Sequence, residues 1–340
     1  MKKLFTFLFL LGVFVSAFAQ WSPTKMSGDK LRSNSKESFY TLDINQLRSK
    51  LKNAEESGAY ANAIEISIPV LSGKIERFKI YSAPVMVKEL AAQYQLGSYA
   101  GVGIDDPSKF IRFSLAPNDF QSMIISPNGY EFIEPANTQK TVYRVFPKTK
   151  ATGSKAFVCS TEEGSSAKKQ MDVLQKKGKS FNNNVTNFAK SSDKKYRTLR
   201  LALSTTGEYT TLAGGTAGAM TRINATLTRV NGVFEKDLAL TLIMQNFPAI
   251  IYTNAATDPY TTNLNVQLQQ TLTNVVGNAN YDIGHVFNAA GGNGNAGCIG
   301  CICVNPANST STAKGSAFTQ STNPQGDTFD IDYVAHEMGH

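Results

Sequence analysis

The stretch T-F-D-I-D-Y-V-A-H-E-M-G-H fills residues 328–340 and contains the pattern His-Glu-x-x-His. Side chains four positions apart on a helix lie one turn above each other, so His336 and His340 are predicted to reach one ion from the same face. Glu337 follows the first histidine and can reach a water bound to that ion. The spacing predicts a zinc-hydrolase helix, with two imidazole ligands and a carboxylate general base.

A catalytic zinc site needs a third protein ligand, which the pattern itself does not supply. His285 is the remaining histidine of the chain, and it falls in a predicted strand over residues 282–287. A packed, hydrogen-bonded imidazole is commoner in a strand than a ligand, although the ligand role stays open. The alternative for the whole pattern is a pair of surface histidines on an amphipathic helix. The expected chemistry is hydrolysis, in which Glu337 removes a proton from zinc-bound water.

The cysteines offer further candidate ligands and cross-links. The C-x-x-C spacing of Cys298 and Cys301, followed by Cys303, is compatible with a metal site. Disulfides are favoured in an exported chain, although the sequence does not fix their connectivity. Cys159 has two candidate roles. It pairs with this cluster, or its thiolate fills the open zinc position and keeps an enzyme latent.

The first residues carry an export signal. Lys2 and Lys3 precede an apolar run over residues 4–15, and Ala17-Phe18-Ala19 forms a cleavage site. Residues 1–19 are therefore predicted to be a secretory signal peptide. A membrane anchor is the alternative, but the run is shorter than the roughly 20 residues that a spanning helix needs. The mature protein is expected to be secreted and to have no membrane association.

The net charge of +8 comes from one segment. Twelve Lys or Arg and four Asp or Glu residues fall between Pro147 and Arg197, among many small polar residues. No aromatic residues alternate with these charges as they do on a base-stacking surface, so nucleic acid is not an expected partner. Residues 148–195 are predicted to be a flexible linker that is open to proteolytic cleavage.

The two flanking regions differ in pattern. Residues 20–147 contain short alternating runs such as residues 63–70, and they hold no His or Cys, which predicts a mainly β accessory domain. In residues 196–340 strands alternate with helices, which predicts a layered α/β domain. The expected fold class is α+β, with the His-Glu-x-x-His helix at the C-terminal end.

Residues 328–340, together with Tyr281-Asp282-Ile283-Gly284-His285-Val286-Phe287, resemble the secreted reprolysin-like (adamalysin-type) metzincin peptidases of bacteria. The resemblance starts near residue 195, and Ser82-Ala83-Pro84-Val85-Met86 and residues 101–107 resemble the accompanying pro-region. It implies a twisted mixed sheet with helices, zinc endopeptidase activity, protein or peptide substrates, ligands His336 and His340, and base Glu337.

In that family the pattern continues as H-E-x-x-H-x-x-G-x-x-H and is followed by a methionine-containing turn. The sequence stops at His340, so we expect a C-terminally truncated piece of a latent protease, with weak zinc binding and negligible proteolysis. The alternative function is a non-catalytic exported binding or adhesion protein. Calcium binding is undetermined, with Glu208, Asp237 and Asp258 as candidate ligands. The oligomeric state is not predicted.

Overall fold

A computed structural model describes residues 20–25, 37–58, 60–149, 158–161 and 195–340. The predicted signal peptide and most of the predicted linker lie outside these residues. Within them, no helix is long and apolar enough to cross a membrane. The predicted α+β class is confirmed, because a β-rich N-terminal half precedes an α/β C-terminal half.

The N-terminal half forms one antiparallel sheet of nine strands. Their order across the sheet is β1-β2-β9-β8-β7-β6-β5-β4-β3, so most neighbours in the sheet are also neighbours in the chain. In chain order the strands are β1 (Trp21–Thr24), β2 (Ser38–Leu42), β3 (Ile64–Pro69), β4 (Ile75–Ser82), β5 (Gly97–Gly103), β6 (Phe110–Ala116), β7 (Asp119–Ser126), β8 (Gly129–Pro135) and β9 (Val142–Pro147). Helices α1 (Ile44–Leu51) and α2 (Lys88–Gln93) interrupt them.

Alternation along these strands produces the core of this half. In β3 the buried side chains Ile66 and Ile68 are two residues apart, as one face of a pleated strand requires. Trp21 lies in the same core, where Tyr40, Phe120 and Tyr143 surround it edge-on. Edge-to-face packing of this kind stabilises aromatic clusters by about 0.5–1.5 kcal/mol per pair beyond the burial of apolar area.

The C-terminal half forms a mixed sheet of six strands in the order β10-β14-β15-β13-β11-β12. Only the β14–β15 pair is antiparallel. The strands are β10 (Val158–Cys159), β11 (Arg197–Thr205), β12 (Leu240–Met244), β13 (Ile283–Asn288), β14 (Asn293–Asn295) and β15 (Ala317–Gln320). The helices are α3 (Gly207–Leu212), α4 (Thr216–Leu238), α5 (Leu264–Thr271) and α6 (Ala335–Gly339), and a π-helical stretch (Thr328–Val334) leads directly into α6. We call this stretch and α6 together the motif helix.

Helix α4 lies between the two sheets. Its apolar side chains recur at helical spacing and are buried, among them Ile223, Leu227 and Val230. Its opposite face is also covered, because the N-terminal sheet packs against it through β5, β6 and β7. Gly232 lies on that face, where a Cβ would come within 2.6 Å of Met123 Cε and 2.9 Å of Arg112 Cγ.

The prediction of a flexible linker over residues 148–195 does not hold for the part of it that the structure describes. Val158 and Cys159 form strand β10 of the C-terminal sheet, and Lys148 and Thr149 contact the motif helix. These residues gain their order from partners more than 130 positions away in the chain, which local composition does not reveal. The remaining linker residues, 150–157 and 162–194, lie outside the described residues.

Candidate metal centre and active site

The motif helix begins at Thr328, and the residue before it makes contacts outside the helix. Asp327 occupies the N-cap position without accepting a hydrogen bond from the helix. Its carboxylate instead accepts from Thr149 N and Thr149 Oγ1, each at 2.8 Å. Lys148 Nζ lies 2.7 Å from Asp332 Oδ2 on the same helix. The end of the N-terminal half therefore contacts the first turns of the motif helix.

A buried ion-pair network connects three elements at this helix. Arg229 of α4 places Nη1 2.7 Å from Glu134 Oε1 of β8 and 2.9 Å from Asp330 Oδ2 of the motif helix. Thr226 Oγ1 also donates to Asp330 Oδ1 at 2.6 Å. Burial raises the pKa of Asp330 to about 6, although Arg229 opposes the shift. Burial lowers the pKa of Arg229, but the two carboxylates outweigh it and the net shift is upward.

His336 and His340 lie together on one face of the motif helix. Their Nε2 atoms are 3.1 Å apart and their rings are perpendicular. Cys159 Sγ lies 3.4 Å from His340 Nε2. Potential ligand atoms of all three residues fall within 4.8 Å of one another, which makes a compact donor group in the described part of the chain. Burial and the neighbouring His336 lower the pKa of His340, which favours the neutral imidazole that binds metal.

The position of Cys159 follows from strand pairing. Strand β10 runs parallel to β14, with Cys159 opposite Gly294. The next residue continues this contact, since Ser160 N donates to Gly294 O at 2.9 Å. The backbone on both sides of the thiol is thus held at the edge of the C-terminal sheet. This fixes the sulfur beside the two histidines.

Glu337 points into the same place from the helix. Its Oε2 accepts a hydrogen bond from Thr161 Oγ1 at 3.0 Å, and Oε1 is buried without a partner among the described residues. Burial raises the pKa of Glu337 to about 7, against the lowering effect of hydrogen bonds from Thr161 and Cys159. Gly294 leaves room for this side chain, because a Cβ there would come within 2.5 Å of Glu337 Cγ.

These donors fit a zinc ion. Two imidazole nitrogens and one thiol sulfur are ligands that zinc binds in tetrahedral sites. Glu337 contacts this group through Cys159, whose hydrogen bond lowers the pKa of the carboxylate. Its unpartnered Oε1 suits a carboxylate that would take a proton from water at the metal. The chemistry of the donors and the unpartnered oxygen therefore point to a hydrolytic metal site.

The other cysteines and His285 do not join this group. Cys298 and Cys301 form a disulfide, so the preference for a disulfide over a metal site is confirmed. The suggested pairing of Cys159 with that cluster is wrong, since Cys159 and Cys303 are both free thiols. His285 is buried in β13, where its Nε2 lies 2.8 Å from Thr319 Oγ1. The prediction of a packed, hydrogen-bonded imidazole at His285 is therefore confirmed, and its role as a metal ligand is not supported.

The candidate calcium ligands are not brought together. Asp258 is buried, and its carboxylate accepts hydrogen bonds from Gly207 N at 2.7 Å and Tyr260 N at 2.9 Å. These bonds hold the loop before α5 against the start of α3, which is a structural role. Neither Glu208 nor Asp237 belongs to a metal-donor group in the described residues. Calcium binding is therefore not supported.

Residues 195–340 match the family described as "Metallo-peptidase family M12B Reprolysin-like". This segment is similar to the reprolysin-like metallopeptidases. The match implies zinc and protein or peptide substrates, in agreement with the donor group formed by Cys159, His336 and His340. No curated protein matches the chain significantly in sequence.

One solved structure similar to this chain is the crystal structure of metalloproteinase-II from Bacteroides fragilis, at 12% identity and a TM-score of 0.43. The alignment covers 86% of this chain and 83% of that one.

Sequence reasoning did not find Thr161, Gly294 or the Arg229 network. Thr161 lies two residues beyond the candidate cysteine, which is the one sequence signal that pointed towards it. Gly294 lies in a glycine-rich stretch that gave no reason to prefer one glycine over another. Arg229 and its partners are about 100 positions apart, so their pairing is visible only in the fold.

Proposed function

We propose that this chain is the latent precursor of a secreted zinc endopeptidase. The single observation that carries the proposal is the position of Cys159 Sγ, 3.4 Å from His340 Nε2 and within one donor group with His336. The thiol comes from outside the metallopeptidase segment, which begins at residue 195. A donor supplied by the preceding region would occupy a coordination position on the metal beside Glu337, which is where water or substrate would approach in the active form. Secretion rests on the predicted signal peptide at residues 1–19.

The geometry supports the following roles. His336 and His340 are the metal ligands, and Cys159 is the additional ligand of the latent form. When bound, zinc supplies a Lewis acid that lowers the pKa of water and polarises a scissile carbonyl. Glu337 accepts a proton at Oε1, and a pKa of about 7 suits a group that takes and returns protons near neutral pH.

The substrate position is also suggested by strand pairing. Residues 158–160 lie extended along β14, with backbone hydrogen bonds at the sheet edge beside Glu337. An extended peptide can add to an exposed edge strand in the same way. We infer that a polypeptide substrate takes this edge once β10 has left it. The pro-region therefore blocks both the metal and the peptide-binding edge.

Cobalt substitution of the full chain tests the proposal without requiring activity. A cobalt-bound thiolate gives a charge-transfer absorption band, which we expect in the wild type. The Cys159→Ser variant should lose that band, whereas Cys303→Ser, which removes the other free thiol, should keep it. A band that survives Cys159→Ser would contradict the proposal. A protein that binds neither cobalt nor zinc would favour the non-catalytic binding or adhesion protein.

A further inference from the structure

The region before residue 195 covers both edges of the metallopeptidase sheet. At one edge β10 pairs with β14, next to the metal donors. At the other edge Met86 forms a parallel bridge with Met244 at the end of β12. Met244 N donates to Val85 O at 2.9 Å, and Val87 N donates to Met244 O at 3.0 Å. The second contact lies far from the cysteine and is independent of it.

A shared apolar core connects the two halves between these edges. Val85, Met86, Leu90, Leu96 and Ala116 of the N-terminal half belong to the same buried cluster as the apolar side chains of α4 and β11. Interfaces that resemble a domain core cut in two are typical of permanent complexes. This core is held by packing between the two halves, so cutting the segment that connects them would not by itself expose it.

Buried polar groups of α4 also find their partners across this interface. Asn224 Nδ2 donates to Gly97 O at 2.9 Å, and Thr228 Oγ1 donates to Ser98 Oγ at 2.9 Å. Arg229 pairs with Glu134 as described above. Separation of the halves would exchange each of these contacts for hydrogen bonds to water, so each adds a modest net contribution to the stability of the complex.

The paired lysines of the predicted linker all lie C-terminal to Cys159, at 168–169, 176–177 and 194–195. A cut at any of these pairs leaves Cys159 attached to the N-terminal half. Eight residues separate Thr149, which is anchored on Asp327, from Val158. A tether this short keeps the thiol at a high effective concentration near the histidines.

We propose that cleavage within residues 162–194 leaves the two halves as a tight non-covalent complex in which Cys159 still occupies the metal site. Activation then needs a second event, either a cut between Thr149 and Val158 or displacement of the N-terminal half from α4 and β12. The consequence for activity rests on the proposed function, whereas the complex itself does not.

Limited trypsin digestion of a full-length Lys150→Gln/Lys155→Gln variant tests this, because the variant lacks the trypsin sites between Thr149 and Val158. After the chain has been cut within residues 162–194, with the sites confirmed by mass, the two fragments should elute together at equal stoichiometry on size exclusion. They should separate only in urea. In a Cys303→Ser background, the remaining thiol of the cut protein should react with a thiol reagent as slowly as in the uncut one. Separate elution in native buffer, or a thiol that reacts faster after the cut, would overturn the proposal.

Two variants weaken the interface without touching the metal donors. Val87 has φ −61°, which proline adopts without strain, so Val87→Pro removes the N–H that donates to Met244 O. Val87→Ala is the matched control, since it keeps this N–H. Gly232→Leu places a side chain against Met123 and Arg112 of the opposing sheet. Circular dichroism of the uncut variants checks that they fold.

After cleavage, Val87→Pro should weaken the complex by about fivefold more than Val87→Ala, the effect of one hydrogen bond, and Gly232→Leu should weaken it further. Equal dissociation of all three variants and the wild type would contradict the assigned surface. Two measurements distinguish this proposal from the proposed function. Co-elution of the cut fragments in the presence of a chelator tests the complex without any metal, whereas the cobalt–thiolate band tests the latent metal site. If the fragments co-elute but the full chain shows no such band, the latent metal site is refuted and the docking of the two halves is retained.

Discussion

Thr161 Oγ1 donates a 3.0 Å hydrogen bond to Glu337 Oε2 and accepts one of 2.8 Å from Ala296 N. One hydroxyl thus connects the proposed general base to the backbone beside β14. Cys159 and Thr161 are two positions apart, so their side chains lie on the same side of this extended segment and both contact the site. The proposed latent state therefore restrains the base as well as the metal ligands.

Replacement of Thr161 by Val should lower the free energy of unfolding of the full chain. The change keeps the shape but leaves a buried carboxylate oxygen of Glu337 without its donor, which costs about 1–3 kcal/mol. Thr161→Ser is the control, because it retains the hydroxyl. Urea unfolding measures both variants, and equal midpoints for Val and Ser would show that the hydrogen bond contributes nothing.

Metal removal should expose the thiol of Cys159. In the Cys303→Ser variant loaded with zinc, a chelator is expected to accelerate modification of Cys159 by a thiol reagent, because a metal-bound thiolate is protected. The complementary Cys159→Ser variant reports on Cys303, which lies outside the donor group, and its rate should not change. Chelator-independent modification of Cys159 would argue against coordination.

His285 should make stability depend on pH. Burial lowers its pKa to about 3, whereas an unfolded histidine has a pKa near 6.5. The unfolded state therefore binds more protons between these values, so stability is fully present above pH 6.5 and is lost as the pH falls towards 3. The loss approaches about 1.4 kcal/mol per pH unit in that window. His285→Gln should remove this component. Urea unfolding of both proteins in the presence of a chelator at pH 7, 6 and 5 would show it, because the free energy of unfolding should fall more steeply with decreasing pH in the wild type than in the variant. Parallel pH dependence of the two proteins would contradict the assignment to His285.

Loss of Arg229 should destabilise the fold strongly. Arg229→Met would leave Asp330 buried without its cation, which costs about 3–5 kcal/mol for a buried pair, whereas the partly buried Glu134 would keep its pairing with Arg144. Arg200→Met is a matched control on the exposed Arg200–Asp282 pair, where water screens the charges and the loss should be much smaller. Equal unfolding midpoints for the two variants would contradict a structural role for the network.

Local patterns in the sequence predicted the parts of the fold that are locally determined. The strand at Ile64–Pro69 follows from the alternation of apolar and polar residues, and the helix that carries His336 and His340 follows from the spacing of the motif. Strand β5, Gly97–Gly103, was not predicted because three of its seven residues are glycine, which has low strand propensity. Gly101 is required there by contact: a Cβ would lie 2.3 Å from Lys79 O on the neighbouring strand.

The site was predictable only on the helix that carries the motif. Residues 336, 337 and 340 are fixed relative to each other by helical geometry, so one segment of sequence reveals them. Thr161 and Gly294 reach the site through pairing of β10 with β14, which joins positions more than 130 residues apart. Non-local pairing of a two-residue strand has no signature in composition, and the basic surroundings of Cys159 favoured a linker instead.

The N-terminal half covers both edges of the C-terminal sheet, and this also affects the tendency of the sheet to self-associate. Unpaired edge strands are templates for pairing with other molecules. Here β10 covers β14, and residues 85–87 cover the end of β12. A polypeptide of residues 195–340 alone would lack both covers, and we expect it to self-associate, which light scattering would detect. Addition of the N-terminal half during refolding should suppress that aggregation, so the region proposed to keep the site latent would also protect the sheet edges from self-association.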